Sequence, residues 1–448
     1  MDFNSFKDAV LTRCREKGLT EYELYYETCQ STSVSVFRQE IDRFTGSVDG
    51  GVCYRCLIGG RMGYASTEEL TAQEAARIVD AAADNAATLE SEDPDYLGEG
   101  GQSYRPLDRA LYPLPSTQEL IDTALDAQKR LYAADERVVD GSTTQTLLER
   151  SELRIWNSRG LDLSYVNHIA GLISVAVVSD GTQKANAAQI RLGRLDRIDR
   201  DAVVAEAVGK ALDKLGGEPA PTGNCPVVFS PKAMAALLQT YSGIFSARRA
   251  RKGLSKLAGR EGEPVAAPCV TVLDDPFHPD SPCPVPFDAE GSPTCEKTVI
   301  REGVLETLLY DLQTANATGH ITTGNAAKGS YKSPVGIRPF SMYLASGPHT
   351  VEELLAQAGD GVYIDQVTGL HAGANTVSGD FSLQSEGFLI RGGKLTDHVK
   401  SFTVAGSFYE LLKDITALAD DSHLQDPLGP TAFGAPTTLV RGLSIAGK

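Results

Sequence analysis

The chain has 448 residues, of which 42% are hydrophobic and 23% are charged, a composition typical of globular proteins. This length predicts two or three domains. The formal net charge of −17 repels phosphate backbones and argues against direct contact with nucleic acid. The sequence has no run of eighteen apolar residues, and residues 1–18 have no apolar signal-peptide core. We therefore expect a cytoplasmic protein with no membrane span.

The first half of the sequence combines helical and strand patterns. Hydrophobic periodicity predicts helices at 3–18, 71–89, 116–135 and 199–215, and strands at 21–28, 31–40, 143–158 and 161–180. Residues 51–67 are typical of a hairpin that turns at Gly59 and Gly60. Ser66 or Thr67, followed by two glutamates, indicates a helix cap, and residues 92–114 form a long polar connection. The order of elements favours an α+β fold over repeating βαβ units.

Residues 216–226, which read GGEPAPTGNCP, have the composition of a linker. We therefore predict an N-terminal α+β domain at 1–220 and a mostly β domain at 221–448. The second domain is expected to contain one long helix at 231–257, whose first turn accommodates Pro231. Many short strands separated by glycine or proline turns follow, which favours a twisted or barrel-like sheet.

Two groups of residues have the chemistry of a metal or redox site. Cys53 and Cys56 form a CxxC pair, but they lie in a predicted strand, where residues three apart point to opposite faces. With no export signal, we expect the cysteines to be reduced. His278 lies in a proline-rich loop with Asp274, Asp275 and Asp280. That loop has the ligand types of a metal site, although its prolines favour a solvated turn.

The hydroxyl-rich stretch 375–406 offers a possible Ser-His-Asp combination in Ser382, His398 and Asp380. Many sequences contain such a set by chance, and the triad is defined by geometry rather than by order in the chain. The sequence contains no G-x-S-x-G motif, which argues against an α/β-hydrolase elbow. The pattern in this stretch is that of strands joined by a glycine turn.

Several segments together resemble one family. They are GVCYRCLIGGRMGYAST at 51–67, NSRGLDLSY at 157–165, residues 291–319, SGDFSLQSEGFLIRGGKL at 378–395, and the terminal LSIAG. In order and spacing they are similar to the TldD/PmbA family, once called modulators of DNA gyrase. The resemblance extends over nearly the whole chain.

The resemblance implies a family with two branches, whose members pair with each other. The TldD branch resembles a metalloprotease in which an H-E-x-x-x-H helix and a cysteine near the C-terminus bind zinc. The PmbA branch, also called TldE, keeps the fold without that metal site. In this sequence the two histidines fall on Gln239 and Ile244 and the glutamate falls on Thr240. The cysteine falls near Ser422, beside His423.

These substitutions remove the zinc ligands and the general base, because isoleucine cannot bind zinc and threonine is no base at neutral pH. The resemblance therefore implies a pseudoenzyme with no metal or cofactor of its own, zinc being expected in a TldD-like partner. We predict a non-catalytic PmbA/TldE-like subunit of a cytosolic metallopeptidase complex that acts on unfolded peptides. The alternatives are a homodimeric peptide-binding or scaffold protein, and an independent hydrolase with another site, for example around His278.

Overall fold

The computed structural model describes residues 1–90, 93–107, 113–427 and 429–447. The N-terminal half has four helices, α1 (Phe3–Lys17), α2 (Ala72–Thr88), α3 (Thr117–Ala134) and α4 (Arg200–Asp213). Its six strands are β1 (Tyr22–Phe37), β2 (Glu40–Ile58), β3 (Arg61–Thr67), β4 (Thr143–Asn157), β5 (Asp162–Ser179) and β6 (Lys184–Gly193). They form one antiparallel sheet in the order β3-β2-β1-β4-β5-β6. Part of the predicted connection at 92–114 lies outside the described residues.

Local sequence signals explain several element boundaries. Gly59 and Gly60 both have positive φ angles and turn the chain between β2 and β3 as predicted. Helix α3 starts at Ser116, whose side chain forms a capping box with Glu119. The predicted cap of α2 at Ser66 or Thr67 is wrong. Both residues belong to β3, and Thr71 caps the helix by accepting the N–H of Glu74.

The C-terminal half contains short helices and many short strands. The helices are α5 (Pro231–Tyr241), α6 (Ala247–Arg251), α7 (Leu312–Thr318), α8 (Val351–Ala358), α9 (Leu370–Gly373) and α10 (Phe408–Asp414). The first strands are β7 (Glu218–Pro219), β8 (Gly223–Phe229), β9 (Val272–Asp274), β10 (Lys297–Arg301), β11 (Val304–Leu305), β12 (Ala326–Ala327), β13 (Gly336–Ile337) and β14 (Ser341–Leu344). The remaining strands are β15 (Gly361–Thr368), β16 (Asp380–Arg391), β17 (Lys394–Ser407), β18 (Ile415–Leu418), β19 (His423–Leu424), β20 (Ala432–Ala435) and β21 (Thr438–Ala446).

Two larger sheets organise these strands. One has the order β11-β10-β9-β14-β20-β19, and the other has the order β18-β21-β8-β15-β16-β17-β7. In the second sheet β21 also pairs with β17, which closes β21, β8, β15, β16 and β17 into a ring of strands. The α+β class and the barrel-like character of the second half are therefore confirmed.

The predicted single helix at 231–257 is wrong in extent. Helix α5 ends at Tyr241, a 3₁₀ turn covers Ser242–Phe245, and α6 starts from a new cap at Ser246. Glycine at 243 lowers helix propensity at the break. The Ser246 side chain accepts the N–H of Arg249, and a hydroxyl that caps a new helix start favours termination of the preceding helix.

Around residues 53–56 the N-terminal sheet is covered on both faces. One face packs against helices, for example where Tyr54 and Cys56 meet α1 and α2. The opposite face packs against the C-terminal half, where Tyr25 and Cys53 join a cluster with Phe287. Cys53 and Cys56 thus point to opposite faces, as predicted from their spacing. Among the described helices, none is long and apolar enough to cross a membrane.

A buried ion pair joins the start of β1 to the last part of β2. The Nε of Arg55 donates to the Glu23 carboxylate at 2.7 Å, and both side chains are almost fully buried. We expect Arg55→Leu to destabilise the protein by about 3–5 kcal/mol, because it leaves the Glu23 charge buried without its partner. The measurement is the shift in the midpoint of urea unfolding followed by circular dichroism.

The matched control is Arg38→Leu. Arg38 pairs with Asp140 at the same 2.7 Å distance, but the two side chains are 65% and 60% exposed. Loss of such an exposed pair costs less than about 1 kcal/mol. Equal shifts for the two variants would contradict the importance assigned to the buried pair.

Candidate functional site

The helix end at α5 carries three of the sequence-predicted site positions. Gln239 is exposed, and the Thr240 hydroxyl donates to the Ala236 carbonyl at 2.8 Å within the helix. Ile244 is fully buried and belongs to the largest hydrophobic cluster, together with Tyr241 and Phe245. The side chains at 239 and 244 therefore have opposite environments, and neither presents an atom suited to bind zinc.

An open groove of about 590 Å³ lies beside this helix end. It is lined by Ala372, Gly373, Ala374, Asn375, Thr376, Asp380, Phe381 and Ser382. The Tyr241 hydroxyl donates to the Asp380 carbonyl at 2.8 Å, and Arg249 donates to the Thr376 hydroxyl at 3.1 Å. The first bond joins the end of α5 to the start of β16, and the second joins α6 to the segment just before β16. The groove is therefore bordered by the end of α5, which carries the predicted ligand positions, and by the stretch 375–406.

The stretch 375–406 forms the hairpin of β16 and β17, which turns at Gly392 and Gly393. Alternate β16 residues are buried, and Asp380 and Ser382 lie on the exposed face. His398 pairs in register with Phe388, six positions along β16 from Ser382, which is about 20 Å at the usual strand rise. The structure therefore does not assemble the Ser382, His398 and Asp380 combination.

Ser422 lies in a separate pocket of about 340 Å³. Its lining residues are Leu273, His278, Tyr343, Ala345, Ser346, Ser422, His423 and Leu424. The structure thus brings His278 together with Ser422 and His423, which are far apart in the sequence. Ser422, which stands at the predicted cysteine position, is not among the residues that line the groove beside α5.

The polar atoms of this second pocket bond to their own neighbourhood. The Ser422 hydroxyl donates to the Leu344 carbonyl at 2.7 Å. The Nδ1 of His278 accepts the backbone N–H of Asp280 at 3.2 Å, and the Nε2 of His423 lies 2.9 Å from the Gln425 amide. Neither histidine is positioned to take a proton from Ser422, so the arrangement lacks the nucleophile–base contact of a serine hydrolase.

Asp274, predicted as part of a possible metal-binding loop, is a structural residue. Its carboxylate accepts the backbone N–H groups of Phe340 and Ser341 at 2.8 and 2.9 Å, the Asn325 amide at 2.8 Å and the Lys297 ammonium at 3.0 Å. These four donors satisfy a fully buried carboxylate. In the described part of the chain, no three His, Cys, Asp or Glu side chains are grouped to hold a metal ion.

Sequence reasoning missed a buried acidic cluster where the two halves meet. Asp288 accepts the N–H groups of Glu290 and Ser292, both at 2.9 Å, and of Ala326 at 3.0 Å. Glu290 accepts the Leu312 N–H at 2.8 Å. Burial raises the pKa of Asp288 to about 6. Burial, with the neighbouring Asp288 charge, raises that of Glu290 to about 8.

The loop that carries the acidic cluster contacts the connection between α2 and α3. The Tyr104 hydroxyl donates to the Gly291 carbonyl at 2.9 Å. The neighbouring carbonyl of Glu290 lies so close to Gly98 that a Cβ there would approach it to 2.1 Å. A sequence signal for the cluster exists only in retrospect, as acidic residues inside the glycine- and proline-containing segment 286–294. Perturbed carboxylates mark functional sites in some proteins, but here the hydrogen bonds indicate an interdomain joint.

Comparison with known proteins places these features in a family. The family model described as PmbA/TldA metallopeptidase C-terminal domain matches residues 222–447. The models described as PmbA/TldA metallopeptidase domain 1 and central domain match residues 22–86 and 112–215. Together the three matches span both halves of the structure.

Individual relatives are similar to lesser or greater parts of the chain. A metalloprotease TldD homolog of Haemophilus influenzae is 30% identical over 257 residues, 54% of this chain and 52% of that protein. The chain thus spans about half the length of that relative. A metalloprotease PmbA homolog of the same organism is 26% identical over 399 residues, 87% of this chain and 85% of that protein.

Solved structures match almost the entire fold. A Thermotoga maritima protein described as a modulator of a DNA gyrase has a TM-score of 0.89 and 30% identity, and the match covers 99% of this chain and all of that one. TldE from Thermococcus kodakarensis has a TM-score of 0.87 at 24% identity, with 98% and 100% covered. At that identity, the second likeness supports the fold alone.

The buried position of Ile244 generates a stability prediction. Ile244→His places an imidazole among apolar side chains, and we expect a loss of about 3 kcal/mol or more. Gln239→His, on the exposed side of the same helix end, should change stability by less than about 0.5 kcal/mol. Urea unfolding of both variants makes the comparison. A well-tolerated Ile244→His would show that this position can turn outward and present a ligand.

The acidic cluster generates a pH prediction. The raised pKa of Glu290 means that the folded protein holds a proton which the unfolded chain releases near its ordinary pKa of 4.5. Stability should therefore fall as the pH rises from about 4.5 to about 8. Glu290→Gln should reduce that fall, because the amide oxygen can still accept the Leu312 N–H without carrying a charge.

The measurement is the melting temperature at pH 5 and pH 8. The control is Glu136→Gln, at an exposed position in a turn, which should retain the pH dependence of the unaltered protein. If Glu290→Gln retained the full dependence, Glu290 would not be the group that takes up the proton.

Proposed function

Because this chain belongs to the PmbA/TldD metallopeptidase family, we propose that it is a non-catalytic, TldE-like subunit of a cytosolic metallopeptidase complex that processes unfolded peptides. The proposal rests on the residues found at the end of α5. The helix that would present the family's metal ligands carries an exposed Gln239 and a buried Ile244. A matching Ser422 donates its hydroxyl to a backbone carbonyl. This donor set does not fit zinc.

The groove beside α5 supports a role in holding peptide. It is lined mainly by small or polar side chains and runs along the start of β16. An extended peptide binds such a surface through backbone hydrogen bonds, with side-chain pockets adding selectivity. In this proposal the chain contributes a wall of the peptide channel, and a TldD-like partner contributes the zinc and the general base.

The alternative of an independent hydrolase around His278 receives less support. In that pocket the hydroxyl of Ser422 bonds to a carbonyl, and the two histidines bond to other groups. The net charge of −17 also gives no support for direct contact with DNA, whatever the name of the Thermotoga relative implies for that protein.

The test compares hydrolysis of an unfolded peptide by this chain, by a TldD-like subunit from the same source, and by their mixture, each with and without a chelator. We expect no hydrolysis and no stoichiometric zinc for this chain alone. The mixture should be more active than the partner alone, and the chelator should abolish that activity. Chelator-resistant hydrolysis by this chain alone would instead favour an independent site.

A pair of groove variants tests the peptide wall. Ser382→Tyr fills the groove, whereas Gln384→Tyr alters the next exposed residue of β16, outside the groove lining. We expect Ser382→Tyr to lower kcat/KM of the mixture by about tenfold, equivalent to about 1.4 kcal/mol of lost binding. Gln384→Tyr should leave it near the original value. Equal effects would remove the groove from the substrate path, while unchanged activity of the partner despite complex formation would leave only a scaffold role.

A further inference from the structure

The segment that follows the end of α5 has an excess of positive charge beside the groove. Residues 247–256 read ARRARKGLSK, with five basic residues and no acid, in a chain whose net charge is −17. Arg248 and Arg251 are neutralised by ion pairs with aspartates. Arg249, which lies between them, forms no ion pair with any described residue. Its charge is therefore available to a group that the described chain does not supply.

Two contacts fix the Arg249 side chain at the border of the groove. The Nη2 group donates at 3.1 Å to the hydroxyl of Thr376, which lines the groove. The side chain also packs over Gly243, where an added Cβ would lie 3.2 Å from Nε and 3.4 Å from Cδ of the arginine. The glycine at the break between α5 and α6 thus makes room for the guanidinium to reach the groove.

Most of the hydrogen-bonding capacity of the Arg249 guanidinium is unused. An arginine head group has several N–H donors, and within the described chain only the bond to Thr376 engages them. Nε is buried without an acceptor, whereas Nη1 also has no acceptor in the described chain but is not buried. Unpaired donors on a charged group are unfavourable, so a ligand that accepts several of these N–H groups gains binding energy from them.

We propose that Arg249 binds a carboxylate of the peptide held in the groove, with Thr376 as a positioning residue that orients the guanidinium. The planar arginine fork matches a carboxylate through two parallel hydrogen bonds. The inference rests on the proposed peptide-holding role of the groove and adds a substrate class to it, peptides with a carboxylate where they pass Arg249. That carboxylate is either the C-terminus of the peptide or an acidic side chain, and the experiment separates the two sources.

Asp380 allows a test of the sign of the charge that the groove prefers. It lines the same groove, on the exposed face of β16, and its carboxylate repels a bound carboxylate but attracts a basic group. Asp380→Asn should therefore strengthen the binding of a carboxylate peptide, the opposite of the effect expected for removal of Arg249. The substitution keeps the border of the groove, because Tyr241 donates to the backbone carbonyl of Asp380 and not to its side chain.

The first measurement is isothermal titration calorimetry of the full chain with N-acetylated octapeptides made of glycine, serine and valine. One peptide has a free C-terminal carboxylate, a second has a C-terminal amide, and a third has the amide and one internal glutamate. We expect the all-neutral amide peptide to bind about tenfold more weakly than at least one of the two carboxylate peptides. The tighter of those two identifies the C-terminus or the side chain as the source of the carboxylate.

Variants of the chain assign that preference to named residues. Arg249→Gln should remove the difference between the carboxylate and amide peptides, and Thr376→Val should reduce it, because the hydroxyl that holds Nη2 is lost. Asp380→Asn should increase it by about twofold. The control is Lys184→Gln, which removes one positive charge at an exposed position of β6 and should leave every dissociation constant unchanged. Circular dichroism checks that each variant retains the fold.

Failure of this inference is distinguishable from failure of the proposed function. Equal binding of the three peptides by the unaltered chain, no binding of any of them, or weaker binding of the carboxylate peptide by Asp380→Asn would overturn the carboxylate site. Each of these results would do so even if the chain raised hydrolysis by a TldD-like subunit. Carboxylate-dependent binding that is lost in Arg249→Gln, without any rise in hydrolysis, would support the site and overturn the role of a peptidase subunit.

Discussion

The buried ion pair of Glu23 and Arg55 requires the two halves of the molecule to be docked correctly. The two charges lie on neighbouring strands of the N-terminal sheet, Glu23 near the start of β1 and Arg55 near the end of β2, and both are almost fully buried. Helices cover the opposite face of that sheet, so exclusion of water from the pair depends on the C-terminal half. Two buried opposite charges stabilise a fold only when their partners and hydrogen bonds stay in place, which makes correct docking of the halves a condition for a stable sheet.

The need for correct docking also explains the make-up of the contact between the two halves. That contact consists of acidic side chains and hydrogen bonds to the backbone. Asp288 accepts two N–H groups of its own loop and a third from Ala326, and the loop contacts Gly98 and Tyr104. Hydrogen bonds that run from side chain to backbone fix the loop more strictly than apolar packing alone, because they require particular directions as well as contact. The cost is a carboxylate, Glu290, whose charged form is disfavoured by burial. Burial thus disfavours a charge at the place where the two halves meet.

Sequence reasoning located the elements whose signals are local. The glycine turn at Gly59, the cap at Ser116 and the hairpin of β16 and β17 each depend on residues close together in the chain. The first part of β2, residues 40–50, was missed as a strand because its residues are exposed and include two glycines. The acidic cluster where the two halves meet was missed for a different reason, since it contacts a segment more than 180 residues away through a hydrogen bond that no spacing encodes. The end of helix α5 at Tyr241 was not predicted because the hydrophobic pattern continues through Ile244.

One of the two positions that the family resemblance assigns to histidine ligands is a packing position in this structure. Gln239 remains exposed at the helix end, but Ile244 is part of the core that supports α5. A histidine there would have to leave the core to bind a metal. The groove beside the helix is held by Tyr241 and Arg249, neither of which is at a proposed ligand position. Protein side chains therefore hold these two borders of the groove in place.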